Sequence, residues 1–268
     1  MTPGLASAGR VYAMVLRYSY LLRGSWPRVL ELAYWPTVQM ILWGLINQFM
    51  AAQSAWVAQA AGLFIAAVLL WDVLFRAQLG VSVVFFEEMY SRNLGHLFTS
   101  PLRPSELVLA LLVISLLRTL IGVGVASVLA AVLYQYSVFS MGLALLAFFS
   151  NLLVMGWAVG LVVVAFVLRY GLGAENLAWA IIFAVAPVTG VYYPISNLPE
   201  WLQPVAWALP SSSVFEGMRA VLIDGVFRVD LFWQAVVLSA VYLAAGWGLF
   251  LHAFQVARDR DLLLHVGE

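Results

Sequence analysis

The sequence predicts an all-α integral membrane protein with six transmembrane helices, and three observations predict it. Hydrophobic residues make up 64% of the 268 and charged residues 10%, against about 45–50% and about 25% in soluble domains. A soluble fold of this length has too little interior to hide that much apolar side chain. The apolar residues come in six runs, 30–50, 57–78, 106–133, 140–168, 177–196 and 231–253. Each is near the 20 or so residues that a spanning helix needs, and all are too long for barrel strands. Finally, Arg10, Arg17, Arg23, Arg28, Arg76, Arg92, Arg103, Arg169, Arg258 and Arg260 fall on one side of these runs, and only Arg219 and Arg228 on the other. That asymmetry predicts cytoplasmic termini in a cell (inner or plasma) membrane.

Residues 1–28 carry four arginines with no clean apolar run between them, which is not the pattern of a cleavable signal peptide. They predict an amphipathic helix at the membrane surface, with Leu5, Val11, Tyr12, Val15, Leu16 and Tyr18 for the lipid side. A solvated helix packed on its own protein is the alternative. Spans one to five then occupy 30–196.

The longest connection on the arginine-rich side, about 79–105, holds an amphipathic helix at about 85–99. Phe86, Met89, Tyr90, Leu94, Leu97 and Phe98 recur at three- and four-residue intervals, and Glu87, Glu88 and Arg92 fall elsewhere on the wheel. Pro101 and Pro104 end it before a new helix starts at Ser105. Segment 197–230 has no charge-free run longer than Trp201 to Phe215, which contains Pro204 and Pro210. Two short helices, with Asn197/Glu200 and Ser213/Glu216 spaced as N-cap and N3 partner, predict an outer re-entrant hairpin before the last span. The last span is followed by a cytoplasmic tail, 254–268.

The chain has no cysteine, which excludes disulfides and thiolate metal sites. It also has no lysine, so it contains neither a P-loop nor a pyridoxal Schiff base. Net charge is zero, which points to no nucleic-acid partner. No HExxH, GxSxG or GxGD occurs, and His96, His252 and His265 have no second ligand at metal spacing beyond the weak Asp261/His265 pair. No catalytic residue, metal or cofactor is expected in this chain.

Two stretches resemble a known family. Arg92-Asn93-Leu94, then Ser100-Pro101-Leu102 and Glu106 leading into a long span, resembles the coupling-helix region of the type-2 exporter permeases of ATP-binding-cassette (ABC) transporters. Pro199-Glu200-Trp201-Leu202-Gln203-Pro204, Leu209-Pro210 and Glu216-Gly217-Met218-Arg219 resemble that family's outer re-entrant hairpin. The resemblance implies a half-transporter that pairs with a second copy of itself and is driven by a separate P-loop ATPase subunit, which binds the ATP and magnesium. It implies that Glu87, Glu88, Arg92, Asn93 and His96 dock the ATPase. The substrate class implied is an amphipathic lipid, a lipid-linked glycan or a hydrophobic drug. A secondary transporter and a non-transporting membrane scaffold are the alternatives.

Arg118 sits inside the third run, where a charge faces protein, water or an anionic group rather than lipid tails. It is a candidate for the substrate pathway, with Tyr134, Tyr192, Tyr193 and Trp201, whose rings suit sugar stacking or an interfacial belt equally. Asp72 and Arg76, four apart, suit an intrahelical ion pair, and Glu31 suits a pair with an N-terminal arginine. Gly156-x-x-x-Gly160 and Ala244-x-x-x-Gly248 allow close helix approach.

Overall fold

The computed structural model describes residues 3–51 and 55–259. Arg260, Asp261 and His265 lie outside the described residues, as do the side chains of Leu5 and Phe98. The described residues form helices and no strand: α1 (Pro3–Arg23), α2 (Trp26–Ala51), α3 (Ala55–Tyr90), α4 (Leu94–Thr99), α5 (Pro104–Tyr134), α6 (Leu143–Tyr170), α7 (Leu177–Val188), α8 (Gln203–Trp207), α9 (Pro210–Arg219) and α10 (Val229–Asp259).

Five helices, α2, α3, α5, α6 and α10, are long and apolar enough to cross a membrane. The run at 177–196 departs from the expectation of a sixth continuous helix. α7 stops after 12 residues, with Pro187 in its last turn and Gly190 at φ +66° just beyond. Proline removes a backbone donor and a left-handed residue turns the chain, so the helix cannot continue. The second run errs the other way, because α3 continues well past residue 78 to Tyr90. Arg76 therefore lies inside a long helix rather than at its end.

α3 and α6 form the centre, with 72% and 78% of their most apolar stretches buried, against 22% for α2 and for α10. Small residues set the spacing. A Cβ on Gly156 would stand 2.6 Å from Ala77 Cβ, and one on Gly160 would stand 2.8 Å from Val81 Cβ, so α6 meets α3 with backbone nearly touching side chain. α10 reaches α6 through Gly246, whose Cβ would lie 2.7 Å from the Ala158 carbonyl oxygen. The motif read at Ala244 and Gly248 is not the contact, since Gly248 faces open space.

α1 packs parallel to the first half of α5. Met14 and Tyr18 are buried, and Val11 and Val15 rest on the same core. Of the face expected in lipid, only Tyr12 and Leu16 are exposed among the described side chains. α1 therefore satisfies its apolar stripe largely on its own protein. Its end of the molecule, the α4 end, has a core of Phe85, Leu94, Leu107, Leu111 and Phe250. The opposite, hairpin end is built on Met40, Leu69, Leu70, Phe148 and Phe215.

The expected capping boxes of 197–230 do not form. α9 starts at Pro210, which suits the first helical turn because its missing N–H would be unpaired there. Ser213 therefore falls inside α9, and Asn197 ends a short turn at Ile195–Asn197.

Candidate docking site and interior polar groups

The helix expected at about 85–99 is divided. α3 carries Glu87 and Glu88 to its last turn and ends at Tyr90, and α4 occupies only Leu94–Thr99. Arg92 adopts φ +52°. The Asn93 amide donates to the Glu88 carbonyl at 3.0 Å, and the Arg92 amide to that of Met89 at 2.9 Å. This is a helix stop of the Schellman type, with arginine where glycine is usual. Leu94 and Leu97 are buried and anchor α4, while Arg92 and His96 are exposed.

The two glutamates turn away from the exposed surface of α4. Glu88 is 2% exposed. It accepts hydrogen bonds from both terminal nitrogens of Arg17, one at 3.0 Å, and from Asn93 Nδ2 at 2.8 Å. Glu87 faces Arg28 Nε at 3.6 Å. Glu88 is thus unavailable to a partner, because separating a buried carboxylate from the cation that pairs with it is costly. Asn93 is committed to the same corner. Of the five residues named for docking, Arg92 and His96 are the ones that face outward.

A third pair completes the set. Glu106, on the first turn of α5, accepts from Arg10 Nε at 2.8 Å and Nη2 at 2.6 Å, from Ser7 Oγ at 2.7 Å and from the Arg103 amide at 2.9 Å. Arg10 and Arg17 on α1, and Arg28 at the start of α2, therefore tie this segment to the two helices that flank α4. The hydrogen bonds that Arg10 and Arg17 donate to Glu106 and Glu88 raise their pKa above the usual guanidinium value. Burial, then the charge of Glu88, pushes the Tyr18 phenol up, so it stays neutral. Tyr90 donates to Glu175, joining the α6–α7 turn to the same face.

Deeper in the bundle, Asp72 and Arg76 form the expected pair at 2.5 Å, and Arg76 Nη1 donates to the Leu32 carbonyl at 3.2 Å. Gly122 faces the guanidinium of Arg76, where any side chain would collide with it. Glu31 forms no ion pair among the described residues; Arg28 takes Glu87 instead.

Three of the four aromatic candidates are engaged in contacts at the hairpin end, and Trp201 is not. Tyr134 donates to the Ile41 carbonyl at 3.2 Å and lies over Gly44. Tyr192 stacks on Trp43 with ring centroids 4.6 Å apart. Tyr193 donates to the Pro187 carbonyl, and Trp201 is 74% exposed. Arg118 is half-buried, well away from all four, so the structure does not bring the five pathway candidates together.

Sequence reasoning missed a polar clasp. Glu216 accepts from the Ile195 amide at 2.7 Å and lies 2.9 Å from Arg219 Nη2; Arg219, 6% exposed, donates to the Val191 carbonyl at 3.5 Å. One helical turn on α9 thereby holds the chain that follows α7. Beneath it Thr189 and Ser211 share a hydrogen bond. The signal in the sequence is Glu216 and Arg219 three apart, but spacing pairs Glu216 equally well with Ser213 as an N-cap partner.

Compared with known proteins, the chain matches the family model described as ABC-2 type transporter over residues 18–223. A search of curated proteins finds no match.

Proposed function

The chain belongs to the ABC-2 type transporter family, and from that premise we propose that it is the membrane half of an ATP-driven exporter, working as a homodimer with a separate ATPase subunit. The family makes it a multi-pass transmembrane subunit of an ABC transporter, a transport component rather than the ATPase, with an ATP-binding partner. ATP and magnesium belong to that partner. The substrate is an amphipathic lipid, a lipid-linked glycan or a hydrophobic drug, carried along the interface between the two copies. Both termini face the cytoplasm and the protein resides in the cell membrane, on the arginine count given above. In this reading α7 and the irregular chain after it make the fifth crossing, broken at Gly190, the α8–α9 hairpin re-enters from outside, and α10 is the sixth crossing.

The observation that carries the reading is α4. It joins the most polar corner of α3 to α5, is seated by Leu94 and Leu97, and presents Arg92 and His96 outward. A partner that grips α4 moves both flanking helices, and through Glu88–Arg17 and Glu106–Arg10 it moves α1 as well. Transmission requires only that the ATP-bound and empty partner differ in affinity for α4. Glu87 and Glu88 serve as tethers in this scheme, and Arg92 and His96 make the contact.

The test is affinity purification of the intact chain from native membranes, with an ATPase assay of what accompanies it. A stoichiometric P-loop protein with vanadate-sensitive turnover is expected. Arg92→Ala with His96→Ala should weaken that association about ten-fold, as loss of charged rim contacts does. Recovery of the chain alone, with transport driven by an ion gradient, would sink the proposal in favour of a secondary transporter.

A further inference from the structure

Pro36 stands inside α2, where it has no amide to give the carbonyl one turn back and its ring crowds that carbonyl. The carbonyl concerned is that of Leu32, and it is the one to which Arg76 Nη1 donates at 3.2 Å. A spanning helix tolerates proline where a neighbouring helix satisfies the group it frees. Here α3 does so with a charged donor. The next residue, Thr37, turns its hydroxyl back on the Ala33 carbonyl at 2.7 Å, a bond that loosens and bends helices. Both features fall at one level of α2.

Arg76 is built into its position. Asp72 Oδ2 accepts from its Nε at 2.5 Å, and a Cβ on Gly122 of α5 would lie only 2.6 Å from that same nitrogen. Leu32, Pro36 and Met40 share one buried stripe of α2, so the freed carbonyl lies on the side that meets α3 and α5. Arg76 Nη2 is nevertheless buried without a hydrogen-bond partner, as is Thr119 Oγ1, one turn before Gly122 on the same face of α5. Polar groups left unpaired in one arrangement favour any other that pairs them.

The two halves of α2 are fastened to different parts of the molecule. Before Pro36, Arg28 faces Glu87 on the last turn of α3, beside α4. After it, the Ile41 carbonyl accepts from Tyr134, Gly44 lies under the Tyr134 ring, and Trp43 stacks on Tyr192. One half belongs to the α4 end and the other to the hairpin end.

We propose that α2 is a lever jointed at Pro36, with Arg76 as the pin that couples the joint to α3. Displacement of α3 carries Arg76 and the Leu32 carbonyl with it, and the half beyond Pro36 changes its angle. The use of this lever, to pass motion from α4 to the hairpin end, rests on the exporter reading. The joint itself does not, and it is measured in the chain alone, without ATPase or transport.

The chain has no cysteine, so introduced pairs take spin labels cleanly. Leu45→Cys with Leu146→Cys reports the far half of α2 against α6, and Val29→Cys with Phe166→Cys reports the near half; all four positions are exposed. Labelled chain is diluted with unlabelled chain in detergent, so that distances within one chain are read. Pro36→Ala, which returns an amide to the Leu32 carbonyl, should narrow the Leu45–Leu146 distance distribution and leave Val29–Phe166 as it was. Unchanged Leu45–Leu146 distances, or equal changes in both pairs, would overturn the joint.

The pin is tested by Asp72→Leu with Arg76→Met, which removes it without stranding a charge. This variant should broaden the Leu45–Leu146 distribution. Its loss of stability in denaturant should be smaller in the Pro36→Ala background, where the Leu32 carbonyl no longer needs Arg76. An equal loss in both backgrounds would overturn the pin. If the double variant folds in neither background, Arg76→Lys takes its place in the same comparison, since it keeps a charge beside Asp72 without a fork that reaches both acceptors.

Discussion

At the α4 end, arginines from α1 and the start of α2 reach across to glutamates on α3 and α5; at the hairpin end, Glu216 and Arg219 sit on one turn of one helix and hold backbone. The arginine side chains of the first set are between 27% and 36% exposed, while Arg219 is 7% exposed. The arginine ends of the first set are open to water, which screens those pairs more than Glu216–Arg219, although Glu88 and Glu106 are themselves 2% and 3% exposed. The contrast suggests a division of labour, with adjustable tethers where a partner pushes and a fixed clasp where the chain after α7 must keep its shape. Substitutions at the two ends ought therefore to differ in kind as well as size.

The largest effect is expected at the clasp. Glu216→Ala strands the buried Arg219 and leaves the Ile195 amide without its acceptor, at a cost of about 3–5 kcal/mol. Adding Arg219→Met should return a substantial part of that loss, because a buried pair is often replaceable by apolar groups though not by half of itself. Denaturant unfolding of the three proteins in detergent reads this out. A double variant as unstable as Glu216→Ala alone would contradict the clasp.

At the other end the effects should be graded by the burial of the acid left behind and, between Glu88 and Glu106, which are equally buried, by the donors that remain to it. Arg17→Ala leaves Glu88 buried with only Asn93 for company, and about 1–3 kcal/mol is expected. Arg10→Ala leaves Glu106 with Ser7 and the Arg103 amide, so its loss should be smaller. Arg28→Ala, which breaks a 3.6 Å contact, should fall within about 0–1 kcal/mol. The same unfolding measurement ranks all three, and a reversed order would mean that burial and remaining donors do not govern the tethers.

Hydropathy made the five long helices legible because burial in lipid is a property of each segment by itself. The same logic failed at 177–196, where composition is apolar throughout and only Pro187 and Gly190 betray the break. It failed again at Glu87 and Glu88, whose helical spacing marks a polar face but not what lies opposite. Glu88 finds Arg17, 71 residues away, and Glu106 finds Arg10, 96 residues away. Such long-range pairings depend on how α1 folds back along α5, which periodicity within either helix does not encode. Asp72 and Arg76, four apart on one helix, were read correctly because local geometry alone brings them together.

The smallest predicted effect is also the most diagnostic for the docking face. Arg92 ends α3 in the left-handed region at φ +52°, a conformation that costs an L-residue about 1–2 kcal/mol and costs glycine little. Arg92→Gly should therefore stabilise the fold by about 0.5–1 kcal/mol, while Arg92→Ala, which keeps the strain, should leave stability nearly unchanged. Both remove the same charge from the surface of α4. If that charge makes the contact, both should weaken ATPase association to a similar degree although only the glycine variant gains stability in unfolding experiments. Weakening by glycine alone would assign the role to the stiffness of the α3–α4 corner, since only that variant loosens it. Association unchanged in both would take Arg92 out of the interface and leave His96 to account for it.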